Sequence, residues 1–485
     1  MAIHIEQDKS ITDRLLQSWV RCRRKAWLDR YGEQKKRLWS AHRTLQLDHQ
    51  HRSFVALINK PYGRGLKACQ EGASFVMGLK LKGKGPEDHL IEANPPLLKK
   101  IEGVSKWGEF SYIPVITRQG YKLTREHKLS LSFTGLLLER LQESPINEGI
   151  AISKTKSKLE IEKLHLSKSL NNQLLQNLIK LKNDLNLSKA PPLTSNRRKC
   201  SICIWKSYCD LDANKQGHLS EVIGVGAKRI EILQNLGINN LKELANFKPS
   251  QLKESLGDNN GEIAQQIIAQ ALAQSTNNKK RLDPERALPE LDLAKGALLY
   301  DIESDPDERH DFLHGLVKIN RKENGEWNIN RKSYQPILSL SPSPENEALI
   351  WKRIKKKLKN YPNWPIIHYG ETESLSLYRL AKRQNASEEE LKELHNRFID
   401  IHSRLRKHWC LPINSYGLKT VASLIGFQWH KKNADGPTAL LWWRQWRNSR
   451  SATKVYSKNL ENIFNYNKDD CLATWAIANW MIKQD

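Results

Sequence analysis

The chain has 485 residues, enough for several domains. Its 79 lysines and arginines against 53 acidic residues leave a formal charge of +26, which favours a polyanionic partner, most simply DNA or RNA. No apolar run reaches the ~18 residues of a membrane span, and the opening MAIHIEQDKSITDRLL lacks the apolar core of a secretion signal, so a cytoplasmic protein with reduced cysteines is expected.

Residues 1–210 mix helix and strand signals. SITDRLLQSWVRCRRKAWLDRYG reads as an amphipathic helix holding Cys22. Residues 155–190 read as helical in period and strongly basic. The region ends in KCSICIWKSYCD, residues 199–210, where Cys200, Cys203 and Cys209 stand in C-x-x-C-x5-C spacing. A chain with seven cysteines that places three so close invites a disulfide, a metal site or a shared small core. A reducing compartment favours metal, but zinc takes four Cys or His ligands and an iron–sulfur cluster four thiolates. The local set supplies three. Cys69, Cys410 and Cys471 read as ordinary buried small residues.

An early cysteine followed by C-x-x-C-x5-C resembles the RecB-family nucleases that carry an iron–sulfur cluster, among them the CRISPR-associated RecB-like exonucleases and the AddB-type helicase–nucleases. The resemblance implies that Cys22, Cys200, Cys203 and Cys209 hold a [4Fe–4S] cluster stapling the two ends of a nuclease domain. The whole chain resembles a bacterial family of RecB-like nucleases with a restriction-endonuclease-like PD-(D/E)XK domain and an added C-terminal RNase H-like domain. In that family the second strand of the first domain reads roughly Y-E-V-V-D-T-K, its Asp binding metal and its Lys activating water. Here YIPVITR, residues 112–118, puts Ile116 and Arg118 at those places, and the upstream Asp expected before LLKKIEG is replaced by Pro95 and Pro96. KLSLSFTG lacks the later Gln and Tyr, and Glu102, Glu109 and the histidines of LDHQHRS do not rebuild the set. Isoleucine cannot coordinate a hard cation. The domain is therefore expected to be a degenerate nuclease fold kept for DNA binding or scaffolding.

Residues 211–275 form a small all-α module. HLSEVIGVGAKRIEILQNLGINNLKELANF has a G-V-G turn, Gly224 and Gly226, between two helical runs. It resembles a helix-hairpin-helix: glycines let the backbone approach a phosphate, the next helix start offers N–H groups, and Lys228 and Arg229 add charge. Such a contact reads the backbone and not the base sequence; the plainer reading is an ordinary helical hairpin. Residues 276–294 read as a polar, Pro-bearing linker.

From 295 to 485 strands and helices alternate, as in an α/β domain. In GALLYDIESDPDERHDFLHGLV an apolar run ends at Asp301 and Glu303, which alternation puts on one face. NWPIIHYGETESLSLYRL gives a second strand ending at His368, then Glu371 and Glu373. NIFNYNKDDCLATWAIANWM gives Tyr466 and Asp470, one turn apart and leading a helix. This order resembles the DEDD exonucleases of RNase H-like fold. FIDIHSRLRK with Asp400, YGLKTVASLIGFQW and ADGPTALLWWRQW extend the likeness. The resemblance implies that Asp301, Glu303, Glu373 and Asp470 hold two Mg²⁺ or Mn²⁺ ions and that Tyr466 orients the attacking water. One position departs from the pattern: Glu373 stands where Asp is usual, with Asp400 and Glu371 as alternates. The expected fold class is thus α/β multidomain: a degenerate RecB-type domain, the helical module, the linker and an RNase H-like domain. The expected function is a metal-dependent nuclease, a 3′→5′ exonuclease on DNA in preference to RNA, with any helicase partner unidentified. The alternative is a nucleic-acid-binding protein that keeps both nuclease folds as scaffold.

Overall fold

A computed structural model describes residues 10–120, 122–155, 158–257, 261–448 and 454–485, the side chains of 454–456 excepted. Two compact units divide the chain, Met1–Ala213 and Asn214–Asp485. No described helix is long and apolar enough to cross a membrane.

In the first unit, six strands lie side by side in the order Tyr62–Arg64, Phe75–Met77, Leu97–Ser105, Gly108–Thr117, Glu148–Lys154 and Leu159–His165. Gly108–Thr117 pairs antiparallel with Leu97–Ser105 and parallel with Glu148–Lys154. A parallel neighbour needs a crossover, and helix Arg125–Gln142 supplies it, burying Leu129, Phe133, Leu137 and Leu138. KLSLSFTG lies in that helix.

Residues 155–190 are not helical throughout. Leu159–His165 is a strand antiparallel to Glu148–Lys154, and the helix begins only at Lys168, where the Ser167 side chain accepts from Leu170 N. The reason lies in the spacing. LEIEKLH alternates, while Leu170, Leu174, Leu178 and Leu181 recur at three and four on one helix face, the last three buried and Leu170 partly so. Residues 156 and 157 of that stretch lie outside the described residues.

The second unit opens with the helical module. Helices Ala227–Asn235, Leu241–Ala245, Pro249–Leu256 and Gly261–Thr276 enclose a core of Leu219, Val222, Ile230, Leu233, Leu244 and Ile267. Ahead of the G-V-G turn stands a short 3-10 turn, Leu219–Glu221, in place of the first full helix expected there. Gln270 fixes the module to the α/β part by donating to the carbonyls of Leu411 (2.8 Å) and Ile413 (3.0 Å). Nor is 276–294 a free linker. Lys280–Arg281 pairs with Trp409–Cys410, and Ala287, Leu288 and Leu291 enter the α/β core. The apolar residues of RALPEL outweigh its polar and Pro-bearing flanks.

The α/β sheet runs Trp327–Ile329, His310–Arg321, Gly296–Asp305, Ile366–His368, Phe398–Asp400. Gly296–Asp305 is antiparallel to His310–Arg321 and parallel to Ile366–His368. Its side chains divide by parity. Leu298, Tyr300 and Ile302 pack with Ile350, Ile354 and Leu377, while Ala297 and Leu299 pack with Cys471, Trp475 and Ile477 of helix Lys454–Gln484. Asp301 and Glu303 continue the second row.

Candidate active site

The helix Lys454–Gln484 lies on the face of the sheet that carries Asp301 and Glu303. One oxygen each from Asp301, Glu303 and Asp470 lie within 4.8 Å of one another. Among the described residues this is the group of metal-ligating side chains gathered so tightly. Tyr466 is buried one turn before Asp470, and both sit well inside the helix instead of leading it.

Neighbours that the motif reading missed hold these carboxylates in place. Asn467 Nδ2 donates to Asp301 Oδ2 (2.7 Å), and Asn467 Oδ1 accepts from the Tyr334 hydroxyl (2.9 Å). Trp429 Nε1 donates to Asp470 Oδ1 (2.6 Å). Gly315 stands opposite Asp301 in register, and a Cβ there would meet Asn467 Oδ1 at 1.7 Å. The missing side chain is what lets helix and sheet approach. Asn467 lies one residue past Tyr466, and a polar residue next to Y-x-x-x-D on the same helix face was the available signal.

Glu373 comes from the first turn of helix Glu371–Arg383, just beyond strand Ile366–His368. It stands outside the tight group of three, yet its charge acts on both Asp301 and Glu303. It is buried, and its Oε2 makes no hydrogen bond among the described residues. Asp400 is engaged elsewhere: its Oδ1 accepts from Gly370 N (2.8 Å) and His402 N (2.9 Å), capping helix Ile401–His408. Glu371 is exposed. Of the three acids weighed for this position, Glu373 alone combines burial with an unsatisfied oxygen.

Burial and mutual repulsion act together on the cluster. Desolvation, followed by the charges of Asp470 and its neighbours, pushes Asp301 and Glu303 well above the usual carboxylate range. Asp470 is pushed up to about 6, chiefly by burial, with Trp429 and Lys419 opposing. Glu373 is pushed up to about 8, again chiefly by burial, with Asp400 and Asp470 adding. The Tyr466 hydroxyl is raised by burial and by Asp470. Buried, crowded carboxylates with an unsatisfied oxygen fit a hard divalent cation, which takes all-oxygen ligands and removes the repulsion.

In the first unit Ile116 is buried in the core and Arg118 is buried against Glu160 (2.9 Å) and Glu162 (3.1 Å). His49 Nε2 meets the Arg118 carbonyl at 3.1 Å, and Glu102 and Glu109 are exposed. Among the described residues no comparable carboxylate group assembles there.

The four cysteines share one cavity lining. Cys22, Cys200, Cys203 and Cys209 are free thiols that line one cavity with Arg21, Arg24, Lys25, Arg197, Lys199 and Lys206. Cys22 is extended (φ −163°, ψ 121°) and breaks the expected continuous helix into Asp13–Arg21 and Arg23–Tyr31. Burial pushes the Cys200 thiol up to about 11, and the other three cysteines add to the rise. Cations, Trp205 and Leu28 share the lining with the four thiols, the donor type that a thiolate-bound cluster would take.

In the helical module Gly224 adopts φ +88°, a conformation that favours glycine. Gly226 caps helix Ala227–Asn235, and open space lies where its Cβ would stand. Arg229 Nη1 donates to the Gly224 carbonyl (2.5 Å), so its guanidinium braces the turn, while Lys228 is exposed.

Residues 298–482 match the RNase_H_2 family, of the RNase_H superfamily. No curated protein matches the chain. The protein is thus a mixed α/β, multidomain chain with a C-terminal RNase H-superfamily region, of a kind associated with nuclease chemistry, nucleic-acid substrates and Mg²⁺ or Mn²⁺.

Proposed function

We propose that the C-terminal region is a divalent-metal-dependent nuclease, a 3′→5′ exonuclease acting on DNA. The observation that carries this reading is the convergence of Asp301, Glu303 and Asp470 within 4.8 Å, inside the region that matches the RNase_H superfamily. Glu373 completes the acidic set. Two bound Mg²⁺ or Mn²⁺ ions would activate the attacking water and neutralise charge on the attacking and leaving oxygens. The chain's own part is positional. Asp301 is aimed by Asn467, Asp470 by Trp429. The Tyr466 hydroxyl, beside Asp470, orients the water. The buried face keeps bulk water from the carboxylates.

The remainder of the chain holds the substrate. Gly224, Gly226 and Lys228 offer a phosphate contact in the helical module, with Arg229 bracing it. The first unit is a degenerate RecB-like nuclease fold, Arg118 and Ile116 having replaced its catalytic residues. Cys22, Cys200, Cys203 and Cys209 bind a [4Fe–4S] cluster there, with a structural role.

The reading is tested with DNA and RNA strands labelled at either end, incubated with Mn²⁺, Mg²⁺ or EDTA. Stepwise shortening of DNA from the 3′ end, abolished by EDTA, is expected. A chain that binds these strands and cleaves none of them is a binding protein instead.

A further inference from the structure

Lys419 lies on helix Leu418–Leu424, half-buried beside the carboxylates. Its Nζ stands 5.2 Å from the centre of the Tyr466 ring and 5.5 Å from that of Trp429. These are the tyrosine beside Asp470 and the tryptophan that donates to it. The acids that act on the ammonium are Asp470, Asp435 and Glu303. Two of them have donors of their own: Asp470 accepts from Trp429, and Asp435 accepts from Thr438 N and Oγ1 at the start of helix Gly436–Asn448. Among the described residues the Lys419 ammonium has ring faces for company and no hydrogen-bond acceptor. Two ring faces restrict where it can point, and its three donors remain to be used.

A phosphodiester brought to Asp301, Glu303 and Asp470 is an anion approaching anions. We propose that Lys419 contacts the substrate at this site, its ammonium donating to a non-bridging oxygen of the phosphodiester held there. The proposal rests on the nuclease reading above. Lys419 was passed over in the sequence because it lies in YGLKTVASLIGFQW, away from the acidic motifs.

The test compares wild type, Lys419→Gln and Lys419→Arg on a 3′-labelled DNA oligonucleotide, with Mn²⁺ binding measured separately by calorimetry. Removing a donor that acts on the reacting phosphate costs on the order of 10² in rate. Lys419→Gln is expected to lose about that much in kcat/KM, and Lys419→Arg to recover part of it. Manganese binding to Lys419→Gln should be as tight as to wild type or tighter, because a cation that repels the metal is gone. Undiminished kcat/KM in Lys419→Gln, with wild type active, overturns the proposal and leaves the nuclease reading standing. Lost cleavage with equally weakened Mn²⁺ binding also overturns it, since Lys419 would then only support the carboxylates. No cleavage by wild type overturns both.

Discussion

Without metal, Glu373 holds its proton up to about 8 and Asp470 up to about 6, whereas in an unfolded chain both lose it near about 4. Between those values the folded chain binds more protons than the unfolded one, so stability falls as pH rises. Buried histidines act in the opposite direction: His314, pushed down to about 4 by burial, adds stability as pH rises, but only up to its unfolded value of about 6.5. The clean window is therefore about pH 7 to 8. In EDTA the C-terminal unit is expected to melt at a lower temperature at pH 8 than at pH 7, and Glu373→Gln should flatten that slope. Added Mn²⁺ should raise the melting temperature more at pH 8 than at pH 7. A midpoint in EDTA that is flat or rises between pH 7 and 8, and is indifferent to Glu373→Gln, contradicts the assignment of Glu373 to the cluster. Tyr466→Phe, which removes only the hydroxyl, should leave Mn²⁺ affinity unchanged and slow cleavage.

At the scale of elements, the site is a contact between one strand and one helix, and Gly315 sets its closeness. Gly315→Ala places a methyl group against Asn467 Oδ1, an overpacking that costs about 1–3 kcal/mol. It should also loosen the Asn467 bond to Asp301. Asn467→Ala should cost less in the Gly315→Ala background than in wild type, because the two residues are in contact. Additive losses in denaturant melts would show that the approach is set elsewhere. Asp301 and Glu303 were legible because two residues apart on a strand means one face. Tyr466 and Asp470 were legible because four residues apart on a helix means one side. Gly315, Asn467 and Trp429 were not, since their roles exist only once helix and strand are packed. The stretch 155–167 misled because its basic composition joined a strand and a helix into one apparent period. The linker misled because polarity and proline outnumber the few apolar residues that anchor it.

For the whole molecule, the chain commits four cysteines from distant parts of its first unit to one cation-lined cavity. The spacing alone offered three of these cysteines and the resemblance to cluster-bearing nucleases added Cys22, whereas the break in the helix at Cys22 was not anticipated. Purified protein is expected to be brown and to contain iron, and Cys203→Ser should bleach it and lower the melting temperature of the first unit. A colourless anaerobic preparation with stoichiometric zinc and no iron contradicts the cluster. Among the described residues no comparable carboxylate group forms around Ile116 and Arg118, so we place the proposed chemistry at the C-terminal carboxylates. The measurement that tests this most directly is cleavage of a 3′-labelled DNA strand in Mn²⁺ by Asp301→Asn against wild type. The account predicts a loss of at least about a hundredfold, roughly 2.7 kcal/mol of transition-state stabilisation, with the fold intact by circular dichroism. Cleavage by Asp301→Asn at the wild-type rate would contradict it and move the active site out of the C-terminal region.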